Sequence, residues 1–247
     1  FWIMKKVVLH AAVTILFSSL LLAQADEEKN YRIPLIGEKA PSFEAQTTNG
    51  TLNFPVDFGN KWKILFAHPQ DFTPVCSSEL LELAYLQDEF DKLNVKLAVV
   101  SAGNLETHRE WKSALEGVQY KGRLTTKIKF PLIDDDSRFI SREYGMIHPA
   151  INGTKSVRGV FIIGPDNIIR AISFYPLNVG RSSEEILRSV KALQTANDVN
   201  MTPSDWKPGD DLIVAVHPVT DQRAENVPDG YYKLAWFMWF EKSRAKN

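Results

Sequence analysis

Cysteine is nearly absent from this chain: 247 residues contain one, Cys76. Without a second thiol the sequence can form no internal disulfide, no C-x-x-C redox pair and no cysteine-built zinc site. The five histidines show no H-E-x-x-H spacing, so no metal site and no cofactor are expected. An excess of charge of one sign is also lacking. The 29 Lys and Arg against 30 Asp and Glu leave a formal net charge of −1, which speaks against nucleic acid as a partner. There is no glycine-rich phosphate loop, no internal repeat and no G-x-S-x-G segment.

Long apolar runs are scarce, and the one present lies near the start. Lys5-Lys6 precedes Val7–Leu22, then Ala23-Gln24-Ala25 and the acidic Asp26-Glu27-Glu28. A basic flank, a short apolar run and an A-x-A site are the parts of a secretory signal peptide. Residues 1–25 are therefore expected to be removed after Ala25, giving a secreted or periplasmic protein. A lone cysteine in an oxidising compartment is a candidate free, reactive thiol.

What the sequence does contain is concentrated around that thiol. Trp62-Lys63-Ile64-Leu65-Phe66-Ala67 reads as a short buried strand, and Leu80–Phe90 carries apolar residues at helical spacing. Between them lies His68-Pro69-Gln70-Asp71-Phe72-Thr73-Pro74-Val75-Cys76-Ser77-Ser78-Glu79. Thr73 suits an N-cap and Pro74 the first helical position. Cys76 then falls in the first turn, among unpaired backbone N–H groups and at the positive end of the helix dipole, where an anion is favoured. Reactive cysteines in such places titrate at about 3.5–7.5.

The pattern Pro69-x-x-x-Thr73-x-x-Cys76 resembles the active-site signature of peroxiredoxins. In its extended form, from His68 to Leu80, it is similar to the one-cysteine subgroup. The resemblance runs from about Ile33 to Val216. It implies a thioredoxin-like scaffold and a thiol peroxidase that reduces hydrogen peroxide and organic hydroperoxides. It further implies that Cys76 attacks the peroxide and becomes a sulfenic acid. Thr73 would offer its hydroxyl to sulfur and peroxide, and Pro69 would shape and shield the loop. The family's distant arginine matches Arg158, just ahead of the apolar Gly159–Ile163 and the Gly164-Pro165-Asp166-Asn167 turn; by local pattern alone Arg158 could equally be a solvated strand end. Three further residues stand in a second rank. His68 could contact the sulfur, organise the C-terminal extension, or be a satisfied structural histidine. Glu79 could orient Arg158 or be an ordinary helix-start carboxylate. Arg181 resembles a family arginine of more structural role. Some one-cysteine members hydrolyse phospholipids through Gly-Asp-Ser-Trp-Gly; here Gly59-Asn60-Lys61-Trp62-Lys63 has lysine in the serine's place, so no lipase activity is expected.

With no resolving cysteine, regeneration must come from an external thiol or a thioredoxin-like reductant. Two other readings of the same chain are a thiol–disulfide exchange protein, against which the missing C-x-x-C counts, and an oligomeric holdase in which the thiol is incidental.

The order of elements predicts an α/β fold: a thioredoxin-like domain over 26–196 with a mixed central sheet, then a small C-terminal α+β extension over 197–247. A hairpin is expected at Phe43–Thr48 and Thr51–Phe54 around Asn49-Gly50. A buried strand follows at Val95–Ser101, then a helix from Leu105 to about Leu115 capped by Asn104. Asp134-Asp135-Asp136 reads as a solvated turn and helix start before Phe139–Tyr144, with Gly145 as the stop. Strands are expected at Val157–Ile163 and Ile168–Phe174, and a capping box at Ser182-Ser183-Glu184-Glu185. Lys121, Arg123, Lys127 and Lys129 read as a solvated basic loop. In the extension, Leu212–Val216 and Tyr231–Phe240 are read as two strands. The aromatic run Trp236–Phe240 is expected to be buried at a subunit contact in a homodimer or larger homo-oligomer.

Overall fold

The computed structural model describes residues 32–215, 218–219 and 225–243. The expected signal peptide and Val216 lie outside them. The chain divides into two compact units between Arg181 and Ser182, whereas the sequence reading draws its boundary at residues 196–197.

The first unit is built on a seven-stranded sheet in the order β2-β1-β5-β4-β3-β6-β7. Its strands are β1 (Phe43–Thr47), β2 (Gly50–Phe54), β3 (Trp62–Ala67), β4 (Val95–Ser101), β5 (Leu132–Asp134), β6 (Arg158–Ile163) and β7 (Ile169–Tyr175). Strands β3, β4 and β5 run parallel, and the hairpins β1–β2 and β6–β7 add antiparallel edges. The sheet is mixed, as the alternation of strand and helix patterns predicts. Strand β3 sits between β4 and β6 and is buried from Lys63 to Ala67. That is why it reads as an unbroken apolar run rather than an alternating one. Tyr144, Phe161, Leu65 and Val100 belong to the core on this sheet.

The described residues of this unit also form the helices α1 (Pro74–Lys92), α2 (Leu105–Leu115) and α3 (Phe139–Glu143), with a 3-10 turn at Val56–Phe58. Asn104 Oδ1 accepts from Thr107 N at 2.9 Å and caps α2. Gly145 ends α3 with φ 59°, and a Cβ there would lie 2.7 Å from Ile33 Cα, so only glycine fits.

Some expectations are corrected. Asp135 is not solvated but 2% exposed. Its carboxylate accepts from Ile140 N, Ser141 N and Ser141 Oγ at 2.9, 2.8 and 2.6 Å and so caps α3 from inside. The basic run is solvated as read, and its side chains also find partners: Lys121 and Arg123 pair with Glu82, Lys127 with Glu116, and Lys129 with Asp88. These carboxylates sit on α1 and just beyond α2, and a loop crossing charged helix surfaces finds partners there.

The second unit holds α4 (Ser183–Thr195) and a four-stranded sheet in the order β10-β11-β9-β8. Its strands are β8 (Asn200–Met201), β9 (Leu212–Val214), β10 (Tyr231–Ala235) and β11 (Met238–Glu241). Ser182 Oγ accepts from Glu185 N at 3.1 Å, but the Glu185 carboxylate turns to Arg188. The segment Tyr231–Phe240 is a hairpin, not one strand. Its period breaks at Trp236-Phe237, which form the tip and are 50% and 65% exposed, while Trp239 and Phe240 are buried.

Candidate active site

The site is assembled where β3 ends. After Ala67 the chain passes His68 and Pro69, both buried, and turns through Gln70–Phe72 into α1. Phe72 holds φ 55°. A bulky residue in the left-handed region is an outlier that its surroundings must enforce, at about 1–3 kcal/mol. The turn aims the first residues of α1 back at the sheet. Cys76, the third residue of α1, is fully buried.

Thr73 occupies the N-cap position with extended backbone, φ −104° and ψ 144°, yet its side chain makes no cap bond. Its Oγ donates instead to Gln70 O at 3.0 Å. The Thr73 hydroxyl also favours the Cys76 thiolate.

The arginine arrives from β6. The antiparallel register pairs Phe66 with Val160, and continuing it brings Arg158 alongside the end of β3. Arg158 is 2% exposed, so the solvated-strand-end reading is set aside. Its Nη1 lies 3.2 Å from Cys76 Sγ and 2.7 Å from Glu79 Oε2. Its Nε and Nη2 both donate to Leu177 O, at 3.0 and 2.5 Å. Every edge of the guanidinium is engaged, which suits a rigid fork.

Glu79 is one helical turn past Cys76 and faces the same way. Arg181 grips it with Nε on Oε1 and Nη2 on Oε2, each at 2.8 Å, and its backbone N–H adds a third bond to Oε1. Arg181 Nη1 also donates to Ala67 O and Gly159 O at 2.8 Å, and the guanidinium carbon lies 3.4 Å from the Phe66 ring centroid. Burial opposes ionisation of Glu79, but Arg181 and then Arg158 outweigh it and hold the carboxyl below the usual range. Two arginines around one carboxylate leave a net positive charge beside the sulfur.

His68 adjoins the sulfur. Burial works against the Cys76 thiolate, but His68, then Thr73 and Arg158, favour it and prevail. They bring the thiol down from 9.0 to about 6. A buried thiol near 6 is an ionised nucleophile at neutral pH.

The chain as a whole resembles known proteins. The AhpC/TSA family profile matches residues 36–172. A Methanosarcina mazei peroxiredoxin is 42% identical over 219 residues, covering 87% of this chain and all of the relative. The chain is a peroxiredoxin. An Aquifex aeolicus peroxiredoxin is 38% identical over 221 residues, covering 85% and 97% of the two chains. Among solved structures, the yeast mitochondrial 1-Cys peroxiredoxin superposes with a TM-score of 0.73 at 36% identity, covering 85% of this chain and all of its own. Peroxiredoxin 6 of Arenicola marina gives a TM-score of 0.72 at 34% identity, covering 85% and 99%. The fold of this peroxiredoxin is thus the thioredoxin-like one, and its chemistry is that of a thiol peroxidase with a single cysteine.

The structure brings together all seven sequence-predicted residues of this peroxiredoxin: Cys76, Thr73, Arg158, Pro69, His68, Glu79 and Arg181. Sequence reasoning missed Leu177, whose carbonyl orients Arg158, because a backbone acceptor leaves no mark in residue type. It also missed Asp71, Ser101, His108 and Trp111 behind His68. For His108 a signal existed: it lies three residues before Trp111 and seven before Leu115, on the buried face of α2.

Proposed function

We propose that this peroxiredoxin reduces hydrogen peroxide and organic hydroperoxides through a sulfenic acid on Cys76, and that an external thiol restores it. The observation that carries the reading is the Arg158 Nη1 contact to Cys76 Sγ at 3.2 Å in a buried site. In the first step the thiolate sulfur attacks the terminal peroxide oxygen. The S–O bond forms as the O–O bond breaks, sulfur is oxidised, and the departing alkoxide or hydroxide takes a proton to leave as alcohol or water. Arg158 and the Thr73 hydroxyl are the donors available to the two peroxide oxygens while negative charge moves from sulfur to the leaving oxygen. Pro69 and the buried loop restrict water. A first external thiol then condenses with the sulfenic acid, releasing water and leaving a mixed disulfide. A second thiolate releases Cys76 and an external disulfide.

Peroxide consumption driven by a small thiol, abolished in Cys76→Ser, is the expected result. Peroxide-independent disulfide exchange, or a Cys76→Ser protein of full effect, would overturn it. We also infer export with loss of residues 1–25, checked by N-terminal sequencing of the native protein. Assembly into homodimers or a larger homo-oligomer is inferred from the exposed Leu234, Trp236 and Phe237 on the C-terminal hairpin. Sedimentation velocity of the Trp236→Ser, Phe237→Ser variant should then show a smaller species than wild type.

A further inference from the structure

Behind His68 lies a buried polar network that the steps above do not use. Asp71, 5% exposed, places Oδ2 at 2.5 Å from His108 Nδ1 and accepts from Ser101 Oγ at 3.0 Å through Oδ1. His108, 1% exposed, lies with Nε2 at 3.0 Å from Ile133 O. A carbonyl can only accept, so Nε2 carries a hydrogen. Burial opposes ionisation of Asp71, but the bond from His108, the charges of both histidines and the Ser101 bond keep its carboxyl below the usual range. The carboxylate and the Ile133 carbonyl thus bracket the His108 ring, one at each nitrogen. Gly103 leaves room for this ring: a Cβ there would come 3.0 Å from His108 Cε1.

The same Asp71 faces the catalytic side. Its Oδ1 is 3.6 Å from His68 Nε2. His68 Nδ1 is buried with no hydrogen-bond partner among the described residues, and Trp111 covers the ring with centroids 4.9 Å apart. The charged groups converging here are Asp71 and His108 on one side of His68, and Arg158, Glu79 and Arg181 on the side of the sulfur.

We propose that His108 is a positioning residue for the peroxidase reaction: bonded to Asp71 and anchored on Ile133 O, it holds the carboxylate against Nε2 of His68 and so keeps that ring turned to Cys76. The competing view is a buried pair that only ties α2 to the sheet. It would account for the Ile133 bond but leaves Asp71 facing His68 without a role. The inference rests on Cys76 being the reacting thiolate.

Two substitutions separate the contacts of His108. His108→Gln can reach Ile133 O in place of Nε2 but not Asp71. His108→Asn can reach Asp71 in place of Nδ1 but not Ile133 O. The readouts are the midpoint pH of Cys76 alkylation, the rate of Cys76 oxidation by stoichiometric peroxide, and the melting temperature. In His108→Gln the alkylation midpoint should rise by about one pH unit, which is about a tenfold loss of thiolate below the midpoint. His108→Asn should recover most of that, although both lose melting temperature. In a His68→Asn background the His108→Gln shift should vanish, as expected when one residue acts through the other. Equal midpoints and oxidation rates in the Gln and Asn variants, or a shift that persists without His68, would overturn the proposal while leaving the peroxidase reading intact. Ser101→Ala is a milder probe of the same carboxylate should neither His108 variant fold, and an unmoved midpoint there would count equally against it. Failure of Cys76 itself to oxidise would instead remove the peroxidase reading.

Discussion

Glu79 and Arg158 share one nitrogen with the reaction: Arg158 Nη1 donates to Glu79 Oε2 at 2.7 Å and lies 3.2 Å from the Cys76 sulfur. The carboxylate thus aims the guanidinium, and Arg181 in turn fixes the carboxylate with three bonds. The chain of positioning runs from Arg181 through Glu79 and Arg158 to the thiolate.

Glu79→Gln tests that chain. Removing one member of a buried charged cluster leaves the arginines uncompensated, so stability should fall by about 3–5 kcal/mol. The Cys76 titration midpoint should not rise, because a negative charge has left. The oxidation rate should fall nonetheless, since Arg158 is no longer aimed. Denaturant melts, an alkylation titration and stopped-flow oxidation together read this. A lost thiolate with unchanged stability would contradict it.

Arg158→Lys keeps the charge but not the fork. Nε and Nη2 of Arg158 are spent on Leu177 O while Nη1 serves Cys76 and Glu79, and one ammonium cannot span all three. The oxidation rate should fall by at least about tenfold, a loss of about 1.4 kcal/mol in transition-state stabilisation, with the alkylation midpoint moving less. Comparable oxidation rates for the lysine variant and wild type would refute the geometric role.

The thiol also makes stability depend on pH. Its folded value of about 6 lies below the ordinary 9.0, so the folded state favours the thiolate. That contribution is complete above about pH 9 and is lost as pH falls through about 6. Reduced wild type compared with Cys76→Ser should gain about 1.4 kcal/mol per pH unit between those limits. Denaturant melts of both proteins at pH 6, 7 and 8 measure it; a difference that stays flat would count against an ionised thiol.

Much of this was legible in residue order. The strand Trp62–Ala67, the helix after Thr73 and the cap at Asn104 follow from local rules, because each depends on neighbours in sequence. The placement of Arg158 beside Cys76 depends on antiparallel pairing of β6 with β3, and no local pattern carries a register. Asp135 looked solvated because three consecutive aspartates suggest a surface turn, yet the middle one folds inward to cap α3. Thr73 sits at the cap position but its hydroxyl bonds Gln70 O, a backbone acceptor that residue type does not reveal. The tip Trp236-Phe237 was hidden inside an aromatic run whose apolarity masked the turn.

Trp111 supports the site from the packing side. It is 1% exposed, covers His68, and donates Nε1 to Ser77 Oγ at 3.3 Å. Trp111→Ala should destabilise by about 3–5 kcal/mol and raise the Cys76 midpoint as His68 loses its wall. A melt and an alkylation titration check both; a large loss of stability with an unmoved midpoint would show that the ring is held without it.

All of this chemistry requires that the Cys76 sulfur be anionic at neutral pH and react as such. The most direct measurement is the rate of Cys76 alkylation across pH 4–10 on the reduced protein, followed by its oxidation with one equivalent of hydrogen peroxide. A midpoint near 6 and loss of the free thiol to a sulfenic acid trapped by a dimedone-type reagent are expected. A midpoint near 9, or a thiol still free after peroxide, would contradict it.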